Sequence, residues 1–149
     1  MMTKLLCYAG ILVLLICSTT SGLGADNLKL KGYDPVAYCV VGKPVKGEAK
    51  FGYTWRNATF RFSSTGNLEL FKKSPEKYAP QYGGYCAYAV SQNYTAPVDP
   101  EAFDIVNGKL YLNYSKAVQK KWRENRDNYI AAADKNWPAL KVREEKKVK

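Results

Sequence analysis

The sequence predicts an α+β fold: a small antiparallel sheet from two β-hairpins, packed with short helices and followed by two C-terminal helices. Three observations predict it. Asn107-Gly108 lies between alternating apolar residues across 104–114 (DIVNGKLYLNY), the signature of a two-residue type I′ turn. The runs 51–56 (FGYTWR) and 59–63 (TFRFS) are aromatic and β-branched, as half-buried strands are. Beyond the second hairpin, Val118 and Trp122 stand four apart, and Tyr129, Ile130, Ala133 and Trp137 form one stripe, both at helical spacing.

The chain opens with Met1 to Lys4 and an apolar run, 5–17 (LLCYAGILVLLIC), too short to span a bilayer comfortably. Small polar residues follow at 18–25, which reads as a cleavable signal peptide over 1–25 with a mature start near Asp26. A transmembrane anchor and a lipoprotein acylated at Cys17 are the rival readings; the run lacks a stop-transfer cluster, and Ile16 is bulky for lipoprotein processing. The expected location is therefore secreted and extracellular, or periplasmic in a bacterium, with no stable membrane anchor. What remains is the size of a single domain, assigned to 26–140, with 141–149 (KVREEKKVK) as a basic disordered tail.

Within that domain, Asp34-Pro35 places an N-cap and a first-turn proline ahead of a short helix that ends near Gly42, with Val36, Ala37 and Val40 as its apolar face. The first hairpin is expected to turn at Asn57-Ala58. Ser64 caps a second helix carrying Leu68 and Phe71, and Ser74-Pro75-Glu76 restarts helix with Tyr78 on its buried side. The segment 81–91 (QYGGYCAYAVS) is hinged at Gly83-Gly84, which suits a tight bend or a close approach. Ser115 caps the first C-terminal helix, and Pro138 is expected to stop the second, which spans 125–136. No internal repeat is evident.

There are 23 basic and 13 acidic residues and no histidine. Lys4 leaves with the signal, so 22 bases meet 13 acids and the mature domain carries +9. Such a charge favours anionic surfaces or glycans; export argues against nucleic acid. The missing histidine removes the usual general base and the commonest zinc or copper ligand, which excludes Ser-His-Asp and Cys-His hydrolases. No enzymatic activity is expected. Asp99, Glu101 and Asp104 are close together but do not match an EF-hand loop. Cys39 and Cys86 are the thiols left after cleavage; in an oxidising compartment they form one disulfide or stay as two buried free thiols. Asn57, Asn93 and Asn113 head N-glycosylation triplets.

The residues 32–38 (GYDPVAY), 60–64 (FRFSS) and 75–88 (PEKYAPQYGGYCAY) resemble the YHS-domain family. The likeness is to its longer, exported members, which continue with patterns like 99–103, 107–114 and 136–138. It covers nearly all of the mature domain; with no complete catalytic set in the sequence, the expected function is a non-enzymatic binding module, and a monomer is expected. A transition metal is the ligand class it suggests, with Cys86 and Asp34 as ligands and Tyr33, Asp34, Tyr85 and Cys86 as the contact region. The metal-binding pattern is incomplete, because Val36-Ala37 and Phe62-Ser63 lack the cysteines of the short form and Cys39 stands where an aromatic is typical. No cofactor follows firmly from the resemblance. The alternative is a structural or matrix protein acting through a basic, glycosylated surface.

Overall fold

A computed structural model describes residues 27–147. The expected signal peptide lies outside the described residues. Among these, six α-helices and two β-hairpins form the α+β fold that the sequence predicts. In chain order they are α1 (Pro35–Val40), β1 (Glu48–Trp55), β2 (Ala58–Phe62), α2 (Thr65–Lys73), α3 (Pro75–Tyr78), α4 (Ala87–Ser91), β3 (Asp99–Val106), β4 (Lys109–Asn113), α5 (Lys116–Glu124) and α6 (Arg126–Lys147). The hairpins stay apart: β1 pairs with β2 and β3 with β4, as two antiparallel ladders rather than one sheet.

The chain runs through one plan twice. In the first hairpin Glu48 faces Phe62 and Gly52 faces Arg61 across a bulge; in the second, Asp99 faces Asn113 and Phe103 faces Leu112 across the same bulge. Each pair is displaced by 51 positions, from 48 to 99 and from 62 to 113. Both turns have two central residues at positive φ, Arg56-Asn57 (48° and 64°) and Asn107-Gly108 (51° and 74°), which matches the strand twist as type I′ turns do. The first turn thus falls one residue earlier than expected, and Ala58 opens β2. A serine follows each hairpin and caps a nine-residue helix: Ser64 Oγ accepts from Asn67 N, and Ser115 Oγ from Val118 N.

The plan begins upstream of the hairpins. Lys29–Gly32 and Gln81–Gly84 are short left-handed turns, with Leu30, Lys31 and Gly32 at φ 53°, 51° and 79°, and Tyr82, Gly83 and Gly84 at 55°, 59° and 81°. Each is followed by a tyrosine and a short helix. The Asp34 N–H donates to Val45 O (2.9 Å), and the Cys86 N–H to Ala96 O (3.0 Å). Gly42 N reaches Ala37 O, and Tyr94 N reaches Ala89 O, both at 3.1 Å. The internal repeat is therefore real in three dimensions although the sequence does not announce it.

Each copy encloses an aromatic cluster. Phe60, Phe62, Phe71 and Tyr78 pack with Val36 in the first; Tyr111, Trp122 and Tyr129 take the places of Phe60, Phe71 and Tyr78 in the second. A third cluster of Leu30, Tyr38, Cys86, Val98, Leu110 and Leu112 lies where the copies meet. Val40, expected on the buried face of α1, is half exposed; Tyr38 is buried instead.

The predicted helix stop and tail are corrected by α6, which runs through Pro138 to Lys147. The missing proline donor is outweighed by docking along both flanks. Trp137 packs on Tyr82 and Tyr85, Asn136 Nδ2 donates to the last carbonyls of α4 (Val90 O at 3.0 Å, Ser91 O at 3.1 Å), and Leu140 is buried. Within 141–147, Glu144 accepts from Thr95, Tyr85 and Lys147, so the stretch read as disordered is a bound helical turn.

Candidate functional site

Asp34 is fully buried at the N-cap of α1, and both carboxylate oxygens are occupied. Oδ1 accepts from Val36 N (2.8 Å) and Ala37 N (3.3 Å); Oδ2 accepts from Ser63 N (2.8 Å), Ser63 Oγ (2.7 Å) and Asn67 Nδ2 (2.7 Å). One side chain therefore ties α1 to the end of β2 and the start of α2. Five donors satisfy this buried charge without a cation. As a metal ligand it is corrected: its lone pairs are directed at the fold.

Cys86 holds the equivalent place in the second copy. Its Sγ accepts from Tyr114 N (3.3 Å), as Asp34 Oδ2 does from Ser63 N, and donates to Asn113 Oδ1 (3.6 Å). Asn113 Oδ1 also accepts from Tyr88 N (3.2 Å), the counterpart of Val36 N. Asn113 Nδ2 is buried and finds no acceptor among the described residues, and the same holds for Trp122 Nε1.

The expected Cys39–Cys86 bridge is not formed: both are free thiols. The reason lies in α1, which turns Val36 and Cys39 toward the aromatic cluster of the first copy and Tyr38 toward the central cluster that holds Cys86. Burial pushes the Cys39 thiol above its ordinary value, partly opposed by the nearby Lys77 charge. The acids Asp99, Glu101 and Asp104 also part company. Asp99 Oδ1 accepts from Glu101 N (2.9 Å), while Asp104 pairs with Arg123 and Gln119. No group of three or more metal-ligating side chains gathers among the described residues.

Tyr33 and Tyr85 occupy matching posts after the two left-handed turns, and each ring carries an ammonium. Lys46 Nζ stands 4.3 Å from the Tyr33 centroid, and Lys29 Nζ 5.3 Å from that of Tyr85. The four contact residues expected from the resemblance thus fall into two pairs matched by the repeat, Tyr33-Asp34 and Tyr85-Cys86, each with a half-buried tyrosine and a fully buried polar partner. Sequence reasoning missed Asn67, Ser63 and Tyr114, which complete the buried nodes, and Lys46, which covers Tyr33. Of the three glycosylation triplets, Asn57 and Asn93 are exposed, whereas Asn113 is fully buried and closed to modification in the folded chain.

An open depression of about 260 Å³ lies between the second hairpin and α6, lined by Lys109, Tyr111, Asp127 and Asp134 among others. Tyr82 donates to Asp134 Oδ1 (2.8 Å) beside it; burial first, and this hydrogen bond second, drive the Tyr82 phenol far above its ordinary value. No helix among the described residues is long and apolar enough to cross a membrane. No family model, no curated protein and no solved structure matches the chain.

Proposed function

We propose that this chain is an exported, YHS-like, non-enzymatic binding module that engages anionic partners, glycans foremost, through its basic surface. The observation that carries this reading is the division between interior and exterior. The polar groups nominated for a ligand, Asp34 and Cys86, are committed to hydrogen bonds within the fold, while the cations stand outside in excess. Seven ion pairs form among the described residues, yet Lys31, Lys43, Lys46, Arg61, Lys73, Lys120 and Lys135 join none of them. Such unpaired charge raises the local concentration of anions and speeds encounter with them.

The test is titration of the secreted protein with a sulfated polysaccharide over a range of salt, together with metal analysis of the same sample. Binding that weakens steeply with salt is expected. Indifference to the polyanion at low salt, or a stoichiometric zinc or copper ion retained through purification, would overturn the reading.

A further inference from the structure

The left-handed turn Lys29–Gly32 gathers four cations from three places in the chain. Lys29 and Lys31 lie on it. Lys46, opposite Tyr33 in an isolated antiparallel bridge, donates from Nζ to Lys31 O (3.0 Å) while resting on the Tyr33 ring. Arg61, from β2, runs along Gly32: a Cβ there would lie 3.7 Å from its Cδ and 3.9 Å from its Nη1. The second turn closes the group, since Lys29 sits on Tyr85 and Leu30 Cδ2 is 3.8 Å from where a Gly84 Cβ would be.

Two of these cations are held in place, as Lys72, Lys77 and Lys121 are on tyrosine rings elsewhere; what sets this group apart is that Lys46 is held twice and that four cations share one turn. Two ammonium groups rest on tyrosine faces and one of those also meets a carbonyl, so less side-chain freedom is lost when an anion arrives. Burial draws the Lys29 ammonium below its ordinary value, opposed by the charge of Glu144, an acid that is itself paired with Lys147 at 2.7 Å. Arg61 adds a planar fork that matches a sulfate or phosphate in two-pronged fashion. None of the exposed large apolar side chains (Val40, Val41, Leu70, Tyr94, Ile105, Tyr114, Val142) belongs to the segments forming this patch, so it lacks the anchors by which a protein enters a lipid surface.

We propose that Lys29, Lys31, Lys46 and Arg61, arrayed around the left-handed turn and flanked by Tyr33 and Tyr85, form the seat for a linear sulfated glycan chain. The proposal rests on the anion-binding reading above and gives it an address. Sulfates meet the cations, and Tyr33 and Tyr85 fix the positions of Lys46 and Lys29 around the turn.

The test compares two triple variants of equal net charge. Lys31→Gln/Lys46→Gln/Arg61→Gln empties the seat; Lys73→Gln/Lys120→Gln/Lys135→Gln removes three unpaired charges from elsewhere. Each is titrated with heparin as the sulfated probe, with its fold checked by thermal melting, and Lys31→Gln alone serves as a milder variant whose side chain supports no contact in the fold. The seat variant is expected to lose about tenfold or more in affinity and to show a shallower salt dependence, Lys31→Gln about threefold, and the control less than about twofold. Equal losses in the two triples would overturn the seat and leave the broader anion-binding reading intact. Failure of the unaltered protein to bind heparin would overturn both. Tighter binding to duplex DNA or to anionic vesicles at the same salt would overturn the glycan as occupant.

Discussion

Replacing Asp34 with alanine removes the carboxylate that five donors share, which makes it the sharpest test of the buried node. Losing the cap of α1 at Val36 N and Ala37 N costs about 1 kcal/mol. Ser63 N–H is half buried and loses its acceptor, the Asn67 amide keeps only a long bond to Ser63 Oγ (3.4 Å), and each costs about 1 kcal/mol; the Ser63 hydroxyl can rotate away. The expected loss is about 3 kcal/mol, a large share of the 5 to 15 kcal/mol typical of a domain, and lowers the melting midpoint by roughly 10 °C. At the equivalent post, Cys86→Ala strands only Tyr114 N, because Asn113 Oδ1 keeps Tyr88 N; about 1 to 2 kcal/mol is expected. Urea unfolding followed by the fluorescence of Trp55, Trp122 and Trp137 gives both values on one scale. If Asp34→Ala stays within about 0.5 kcal/mol of the parent protein and loses a bound ligand instead, Asp34 is a binding group and the node is misread.

Two glycines make opposite predictions. A Cβ on Gly47 would stand 2.5 Å from the carbonyl carbon and oxygen of Arg61, so Gly47→Ala must part the first hairpin from its bulge, at about 1 to 3 kcal/mol. Gly66, in the first turn of α2, meets nothing nearer than Ser64 Oγ at 3.8 Å, and Gly66→Ala should stabilise by about 0.5 kcal/mol; thermal midpoints decide both. The raised Tyr82 phenol sets an alkaline limit. Because its folded value exceeds the ordinary 10.0, the stability it contributes is fully present below pH 10.0 and drains away as pH climbs toward the folded value. Tyr82→Phe should therefore flatten the fall in stability above pH 10.0, as read by urea midpoints, and an unchanged slope would refute its part in it.

The hairpins, serine caps and proline starts were legible because each is set by residues within a few positions of one another. Asn107-Gly108 needs only its own φ values, and Ser64 and Ser115 need only the amides three residues on. The fate of Pro138 was not, since what carries α6 past it is Asn136 meeting α4 and Glu144 meeting Thr95, partners at separations of 45 to 49 residues. The repeat was hidden for a related reason. Glycine, tyrosine and serine survive at Gly32 and Gly84, Tyr33 and Tyr85, and Ser64 and Ser115, but the positions that fill the cores changed in kind, Phe71 to Trp122 and Leu68 to Gln119. The common frame is carried by backbone hydrogen bonds and turns, which constrain the identity of these core side chains little. The surroundings of the nominated residues were not legible, since whether the polar atoms of Asp34 and Cys86 face solvent or the fold depends on β2 and β4 arriving from elsewhere.

The two nodes explain why a motif that looks like a ligand set works here as scaffold. A carboxylate has two oxygens, and Asp34 uses one for the helix that follows and the other for the hairpin that returns. A thiol has a single, weaker acceptor. With Cys86 in that place, Sγ keeps the contact with the returning strand at Tyr114 N, and the amide of the helix passes to Asn113 Oδ1 from β4, one residue ahead of Tyr114. Two side chains thus divide the work of one carboxylate. The division leaves Asn113 Nδ2 over, buried and without an acceptor among the described residues. It also keeps Cys86 buried, with its Sγ held between Tyr114 N and Asn113 Oδ1.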